Sequence, residues 1–302
     1  MKKFYRLTSQ YRKDISSSYQ RIKDGSRTVE TSRGLIQYAE FGEGPPILLV
    51  HGAGGGYDQG IYFAKLIGGY YRWIAPSRFG FLGTPVPEFA NSRVQAEAFD
   101  SLLDALDIDR VGVVGVSMGG PSSLEFARHY PHRIKSLSLI SAASHEIEPR
   151  PILTAIIFKL FLNDFIYWTI AKLNPSMLLQ SLGVPEDVQK QLSQEEIEQL
   201  HSFLEAMLPM NARRKGQLLE QQMSEIVLED IKEIQTPTLV IHAVDDMLIP
   251  IEHGKFTARV IEGARFITME KGGHLALILK QNSSARESLR KFLSQFNPQI
   301  GV

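Results

Sequence analysis

Gly115-Val116-Ser117-Met118-Gly119 holds a serine between two glycines, directly after the valine-rich run 111–116 and directly before a helical pattern over Ser122–Tyr130. A G-x-S-x-G between strand and helix is the setting of a nucleophilic serine forced into a sharp turn. The flanking glycines relieve the backbone crowding of such a turn, and the helix behind it points N–H groups and a positive dipole end at any negative charge that develops there. A hydroxyl is a weak nucleophile, so it needs a base, and the base needs an orienting acid. Of the eight histidines, His274 follows the last expected strand in Lys271-Gly272-Gly273-His274, where two glycines let a loop fold back over the sheet edge. His129 and His132 flank the helix end beside Pro131 and read as surface residues, His242 lies inside a strand, and His201 falls on an acidic helix. His145 follows a strand and is placed to line a pocket. For the acid, the strand beginning at Thr238 ends in Asp245 and Asp246, and either carboxylate lies on the sheet edge where open α/β sheets gather their sites. The chain order serine, aspartate, histidine suits this arrangement. Val50-His51-Gly52-Ala53-Gly54-Gly55-Gly56 supplies a side-chain-poor loop after another strand. The backbone N–H groups of Ala53 and Gly54, with that of Met118, are the expected oxyanion donors. A phosphate loop would need a lysine followed by serine or threonine, and Tyr57 and Asp58 follow instead.

These residues need elements to hold them. Short, nearly continuous apolar runs at Pro46–Val50, Trp73–Ala75, Val111–Val116, Leu137–Ile140, Thr238–Ile241 and Phe266–Met269 read as strands buried on both faces of a parallel sheet. Helical patterns such as Val94–Leu106 lie between several of them, so the fold class is a doubly wound α/β sheet. Upstream, TVETSRGLIQYAEFG reads as two strands joined at Ser32, Arg33 and Gly34, an antiparallel start to the sheet. The alternation stops after Ser141 and resumes at Pro237, leaving helix-like sequence punctuated by prolines at 149, 151, 175, 185 and 209. Within it, Leu192, Ile197, Leu200 and Leu204 form the apolar stripe of an amphipathic helix. Phe158, Phe161, Phe165, Tyr167 and Trp168 either line an apolar pocket or form the insertion's own core. Arg213, Arg214 and Lys215 read as a carboxylate-recognising group or a solvated basic turn.

Composition sets outer limits. A chain of 302 residues with 43% hydrophobic content exceeds what one simple core usually needs, so one large domain with an inserted subdomain, or two domains, is expected. The balance of 33 basic against 33 acidic residues gives no reason to expect a nucleic-acid partner. With no cysteine there is no thiol chemistry, disulfide or thiolate metal site. The basic stretch MKKFYRLTSQYRKDISSSYQRIK lacks a signal-peptide core and reads as a solvated lead-in with a short helix around Ile15–Ile22, which assigns the protein to the cytoplasm. Residues 152–173 are long enough to span a bilayer, but Lys159 and Asp164 lie inside them. Two short helices broken near Asn163 and Asp164 fit that segment better, since both residues cap helices well.

The HG-rich loop, the Gly115–Gly119 turn, the aspartate four residues before Pro250 and the late Gly-His occur in the order and spacing of the α/β-hydrolase superfamily. The chain resembles that family from about Thr28 to Phe296. The resemblance implies a mostly parallel eight-stranded sheet flanked by helices, with a helical lid inserted after strand 6. On that plan residues 28–145 and 230–302 form the core, 146–229 the lid and 1–27 the lead-in. It also selects Asp246 over Asp245 as the acid, completing Ser117, His274 and Asp246, with substrate-pocket candidates His51, His145, Phe161, Trp168 and Leu275. Residues 100–141 look like esterases and the carbon–carbon bond hydrolases of aromatic degradation. Those carbon–carbon hydrolases usually carry a polar residue before the serine and a tryptophan after the histidine, where this chain has Val116 and Leu275. Many relatives also carry an aspartate after the fourth strand, where this chain reads Pro76-Ser77-Arg78-Phe79-Gly80. The implied activity is cofactor-free hydrolysis of an ester or related acyl bond in a small apolar substrate, with no metal. Carbon–carbon hydrolysis and perhydrolysis use the same triad, and a ligand receptor or signalling protein on this fold would keep it as a vestige. The oligomeric state stays open.

Overall fold

The computed structural model describes residues 2–145, 159–223 and 228–298. Eight strands run in the order β1-β2-β4-β3-β5-β6-β7-β8. They are β1 Arg27–Thr31, β2 Gly34–Phe41, β3 Pro46–Val50, β4 Arg72–Pro76, β5 Val111–Val116, β6 Ile134–Ile140, β7 Thr238–Ala243 and β8 Arg265–Met269. β1 and β2 form the expected hairpin, with Thr31 opposite Gly34, and β2 meets β4 antiparallel; the remaining pairs are parallel.

Alternation of side chains along each strand divides the core in two. From β3, Ile47 and Leu49 enter one apolar cluster while Leu48 and Val50 enter the other. β5 does the same, with Val114 and Val116 on one side and Val111 and Val113 on the other. Both strands are therefore apolar at almost every position, and each fully buried valine or leucine contributes roughly 1.5–3 kcal/mol over its exposed state. Helices α2 Tyr57–Ile67, α3 Ser92–Ala105 and α4 Gly120–His129 connect the strands up to β6.

Between β6 and β7 the described residues contain helices and no strand: α5 Asp164–Leu173, α6 Pro175–Ser181, α7 Glu186–Gln189, α8 Gln194–Ala206 and α9 Arg214–Met223. Residues 146–158, Phe158 among them, and 224–227 lie outside the described residues. The break expected near Asn163 is a helix start, where the Asn163 side chain accepts from the Phe165 and Ile166 N–H groups. Ser193 and Glu196 cap α8 reciprocally, and α8 buries Leu200, Phe203 and Leu204. These residues share one apolar cluster with Leu49, Val116 and Ile241, so the insertion and the sheet have a common core. Helix α10 Ile251–Val260 follows β7 and helix α11 Ser283–Phe296 closes the described chain.

The N-terminal expectation needs correction. Helix α1 spans Lys2–Asp24, longer than the short helix expected at Ile15–Ile22. Leu7, Tyr11 and Ile15 repeat every four residues and pack on the main apolar cluster, so α1 presents one apolar stripe to the insertion. The Trp168 indole N–H donates to Asp14 at 2.9 Å, and the Tyr11 ring meets Phe165 edge-on at 5.0 Å. Charge count points to a solvated lead-in because it is blind to a helical stripe. Among the described residues no helix is long and apolar enough to cross a membrane.

Candidate active site

Ser117 follows the last residue of β5 with φ 52°, a left-handed conformation that costs a non-glycine residue about 1–3 kcal/mol. Neighbouring structure enforces the turn: Ala143 N–H donates to the Ser117 carbonyl at 3.0 Å. Gly119 is required by what lies beside it, because a Cβ there would run into the carbonyl oxygens of Val50 and His51 at the end of β3. A Cβ on Gly115 would meet the Ser123 side chain of α4. The glycines thus make room for the adjacent strand and the following helix rather than for the turn's own atoms.

Ser117 Oγ lies 2.8 Å from His274 Nε2, and His274 Nδ1 lies 2.8 Å from Asp246 Oδ2. A carboxylate opposite Nδ1 places the imidazole proton there and leaves Nε2 as the acceptor for the serine hydroxyl proton. The Asp246 side chain is wholly buried, and its Oδ1 accepts from Leu248 N–H at 3.0 Å and Ile249 N–H at 2.9 Å. Burial alone would raise its pKa, but the neighbouring His274 charge and hydrogen bonds from His242, His274 and Ile249 hold it below the ordinary carboxylate range. Asp245 has a different place: it accepts from Gly272 N–H at 3.1 Å and Gly273 N–H at 2.9 Å, tying down the loop that carries His274. Gly272 and Gly273 have φ 131° and 60°, so that loop needs glycine at both positions. From the insertion, the Gly183 carbonyl accepts from His274 N–H at 3.1 Å.

The loop after β3 is held in the same manner. The Gly52 carbonyl accepts from His51 Nδ1 at 2.7 Å and from Gly55 N–H at 3.3 Å. In a trans peptide the C=O and N–H point opposite ways, so fixing the Gly52 oxygen fixes the direction of Ala53 N–H. Ala53 packs against Met118, Ala143 and Ile249 beside Ser117. Among the described residues neither Ala53 N–H nor Met118 N–H meets an acceptor, whereas Gly54 N–H donates to Gln217 Oε1 at 2.7 Å. Gly54 is therefore committed to the protein itself, and its φ of 66° supplies the turn instead of a donor.

The pocket candidates separate. His51 is fully buried: its Nε2 accepts from Arg78 N–H at 2.9 Å and its ring meets Phe81 edge-on at 4.8 Å. Burial first, and then the Arg78 charge, push its pKa well below the usual value, so it is a neutral structural link with no free atom for a substrate. Trp168 is also buried and lines a cavity of about 380 Å³ between α1 and the insertion, bounded also by Asp14, Lys172 and Glu205 and by none of Ser117, Asp246 and His274. Leu275 and Phe161 belong to or pack on the main apolar cluster. His145 is half-buried, stacked on His253 with ring centroids 3.7 Å apart.

Arg213 is neither a carboxylate receptor nor a solvated turn. It is fully buried, donates to both oxygens of Asp58 at 2.9 and 2.7 Å, and also reaches the Gly55 carbonyl at 2.7 Å. Burial opposes ionisation of Asp58, but Arg213 and Arg21 draw its pKa down to about 2. Arg78, in the segment that departs from the family pattern, is equally buried; it pairs with Glu220 of α9 at 2.5 Å and donates through Nε to the His51 carbonyl at 2.9 Å. Sequence reading missed Asp58, Gln59, Gln217 and Glu220. The one available signal was Arg78, a charged residue at the end of a buried strand, where a paired partner is expected.

An eight-stranded sheet with this strand order and a serine turn after β5 is a hydrolase architecture, and the chain is an enzyme of that class. It belongs to the alpha/beta hydrolase fold family, whose model matches residues 45–281. The chain is 30% identical over 289 residues to the uncharacterized hydrolase YcgS of Bacillus subtilis (strain 168), covering 90% of this chain and 99% of that protein. It is 31% identical over 257 residues to 2-hydroxy-6-oxo-6-phenylhexa-2,4-dienoate hydrolase of Comamonas testosteroni, covering 80% and 85%. With Lipase 1 of Psychrobacter immobilis it shares 29% over 261 residues, covering 80% and 75%.

Proposed function

We propose that the protein is a serine hydrolase acting on an ester or related acyl bond of a small apolar molecule. The observation that carries this reading is the unbroken chain Ser117 Oγ, His274 Nε2, His274 Nδ1, Asp246 Oδ2 with 2.8 Å at each hydrogen bond. His274 takes the serine proton as Oγ attacks the acyl carbon, Asp246 keeps the imidazole in its tautomer, and Ala53 N–H and Met118 N–H hold the oxyanion. His274 then returns the proton to the leaving group, and water, activated in turn by His274, frees the acyl group and restores Ser117. Residues 146–229 act as a cap over this site, a reading supported by the Gly183 and Gln217 contacts to its two loops. The test is turnover of a short p-nitrophenyl ester: wild type should hydrolyse it and Ser117→Ala should not, and equal rates in both would remove the proposal.

The relative that acts on 2-hydroxy-6-oxo-6-phenylhexa-2,4-dienoate favours a second reading, carbon–carbon hydrolysis on the same serine. The apolar Val116 and the core-packed Leu275 weigh against it, since both positions lack the polar or aromatic side chain that chemistry usually carries. Offering that dienoate beside the ester panel decides between them: turnover of the dienoate with little ester hydrolysis would replace the first reading with the second.

A further inference from the structure

The loop His51–Asp58 carries glycine at positions 52, 54, 55 and 56, so its conformation is entropically expensive and must be imposed from outside. One face of the insertion does this. Gln217 Oε1 accepts from Gly54 N–H at 2.7 Å, Arg213 donates to the Gly55 carbonyl at 2.7 Å, and Glu220 holds Arg78, whose Nε donates to the His51 carbonyl at 2.9 Å. Positions 213, 217 and 220 are spaced four and three apart, which puts them on one side of the turn and helix that carry them. Between this face and the loop remains a space of about 10 Å³ bounded by Gly54, Gln59, Tyr62, Phe203, Met207 and Arg213, room for no more than one water.

We propose that this face is a brace that aims the oxyanion donor Ala53 N–H, and that Gln217 is a positioning residue for the reaction. The inference rests on the serine hydrolase reading above. Gln217 matters most because it makes the shorter hydrogen bond to the peptide joining Ala53 to Gly54, 2.7 Å against 3.4 Å from Gln59 Nε2 to the Ala53 carbonyl, and so keeps that glycine-flanked peptide from turning over. On the other side, Gln59 Oε1 accepts from Gly52 N–H at 2.8 Å and fixes the His51–Gly52 peptide, while its Nε2 donates to the Ala53 carbonyl at 3.4 Å. The Gly52–Ala53 peptide, whose oxygen His51 and Gly55 hold from within the loop, thus lies between one peptide held from the α/β core and one held chiefly from the insertion. Displacing the insertion would leave the Ala53–Gly54 peptide only the longer bond from Gln59, so in this enzyme a seated insertion and a well-aimed oxyanion site go together.

The experiment compares Gln217→Met, which keeps the length and loses the acceptor, with Gln217→Glu, which keeps an acceptor oxygen. On a p-nitrophenyl ester, kcat of Gln217→Met should fall about 10- to 100-fold with KM within about threefold, less than the 10²–10³ lost when an oxyanion donor is removed outright. Labelling of Ser117 by a fluorophosphonate should slow in parallel, and Gln217→Glu should recover kcat to within about threefold of wild type. In the wild-type protein the Gly54 amide should exchange slowly with solvent, a measurement that needs no variant to fold. Wild-type kcat in Gln217→Met, a loss confined to KM, an equal loss in both variants, or a freely exchanging Gly54 amide would each overturn the brace. If Ser117→Ala is inactive while Gln217→Met is unimpaired, the brace alone fails; if Ser117→Ala retains activity, the reading beneath it fails.

Discussion

The two sides of Ser117 are built by different means. On the sheet side, Ser117, His274 and Asp246, the proposed nucleophile, base and acid, each sit just past the end of a strand, β5, β8 and β7, and reach one another through two short hydrogen bonds. On the insertion side, Arg213, Gln217 and Glu220 touch none of those three residues and bind loop backbone, Asp58 or Arg78 instead. In the proposed function the chemistry thus comes from strand ends that the sheet register brings together, and the proposed brace on the loop after β3 from a helix face that belongs to another part of the chain. If this division holds, damage to Ser117, His274 or Asp246 should stop turnover and leave folding intact, whereas damage on the insertion side should cost stability as well as rate.

The largest effect tests the sheet side. Asp246→Asn replaces the acceptor facing His274 Nδ1 and favours the wrong tautomer, so kcat/KM should fall on the order of 10⁴-fold with little change in the urea midpoint. Asp245→Asn, which only loosens the Gly272–Gly273 loop, should lose far less in the same ester assay. Reversed ranks would reassign the acid.

Arg213→Met tests the opposite side. It leaves the buried Asp58 carboxylate with Arg21 as its remaining cation, at 2.7 Å, and strips a donor from the Gly55 carbonyl. Unfolding free energy from urea titration should drop by about 3 kcal/mol, the scale for breaking one partner out of a buried pair. A variant of unchanged stability would show that the insertion does not depend on that pair.

A smaller effect returns to the sheet side. The His253 ring lies under His145, accepts from Ser144 N–H at 3.2 Å, and has His242, Asp246 and Glu252 as its nearest charged or titratable neighbours. Burial first, then the charges of His145 and His242, lower its pKa from 6.5 to about 4. The folded state holds this imidazole neutral, while the unfolded chain takes up a proton below about 6.5. Its contribution is therefore complete above pH 6.5 and is lost as pH falls towards 4, on the order of 2 kcal/mol. Denaturation of wild type and His253→Gln across that window checks it: the stability gap between them should narrow as pH falls, and parallel curves would exclude it.

What could be read in the sequence follows the same division. Buried parallel strands must be apolar at consecutive positions, so β3, β5 and β7 announce themselves, and a strained serine turn needs small neighbours, so Gly115 and Gly119 do too. Asp246 was separable from Asp245 only by likeness to a family, because two adjacent carboxylates in a loop look alike until the histidine is placed. His51 and Trp168 looked like pocket residues because type and position say nothing of which way a side chain turns. Helix α1 looked like a solvated leader because its apolar residues are few, though they share one face.

By itself the sequence determined the α/β sheet, the helical insertion and the strand ends that carry Ser117, Asp246 and His274, since each depends on local spacing and hydrophobic period. Only the tertiary structure decided that Gly54 N–H is already taken, that Arg213 and Glu220 are buried in ion pairs, and that Gln217 faces the glycine loop after β3. Those contacts join residues more than a hundred positions apart, and a polar side chain carries no local mark of the distant partner that will satisfy it once water is gone.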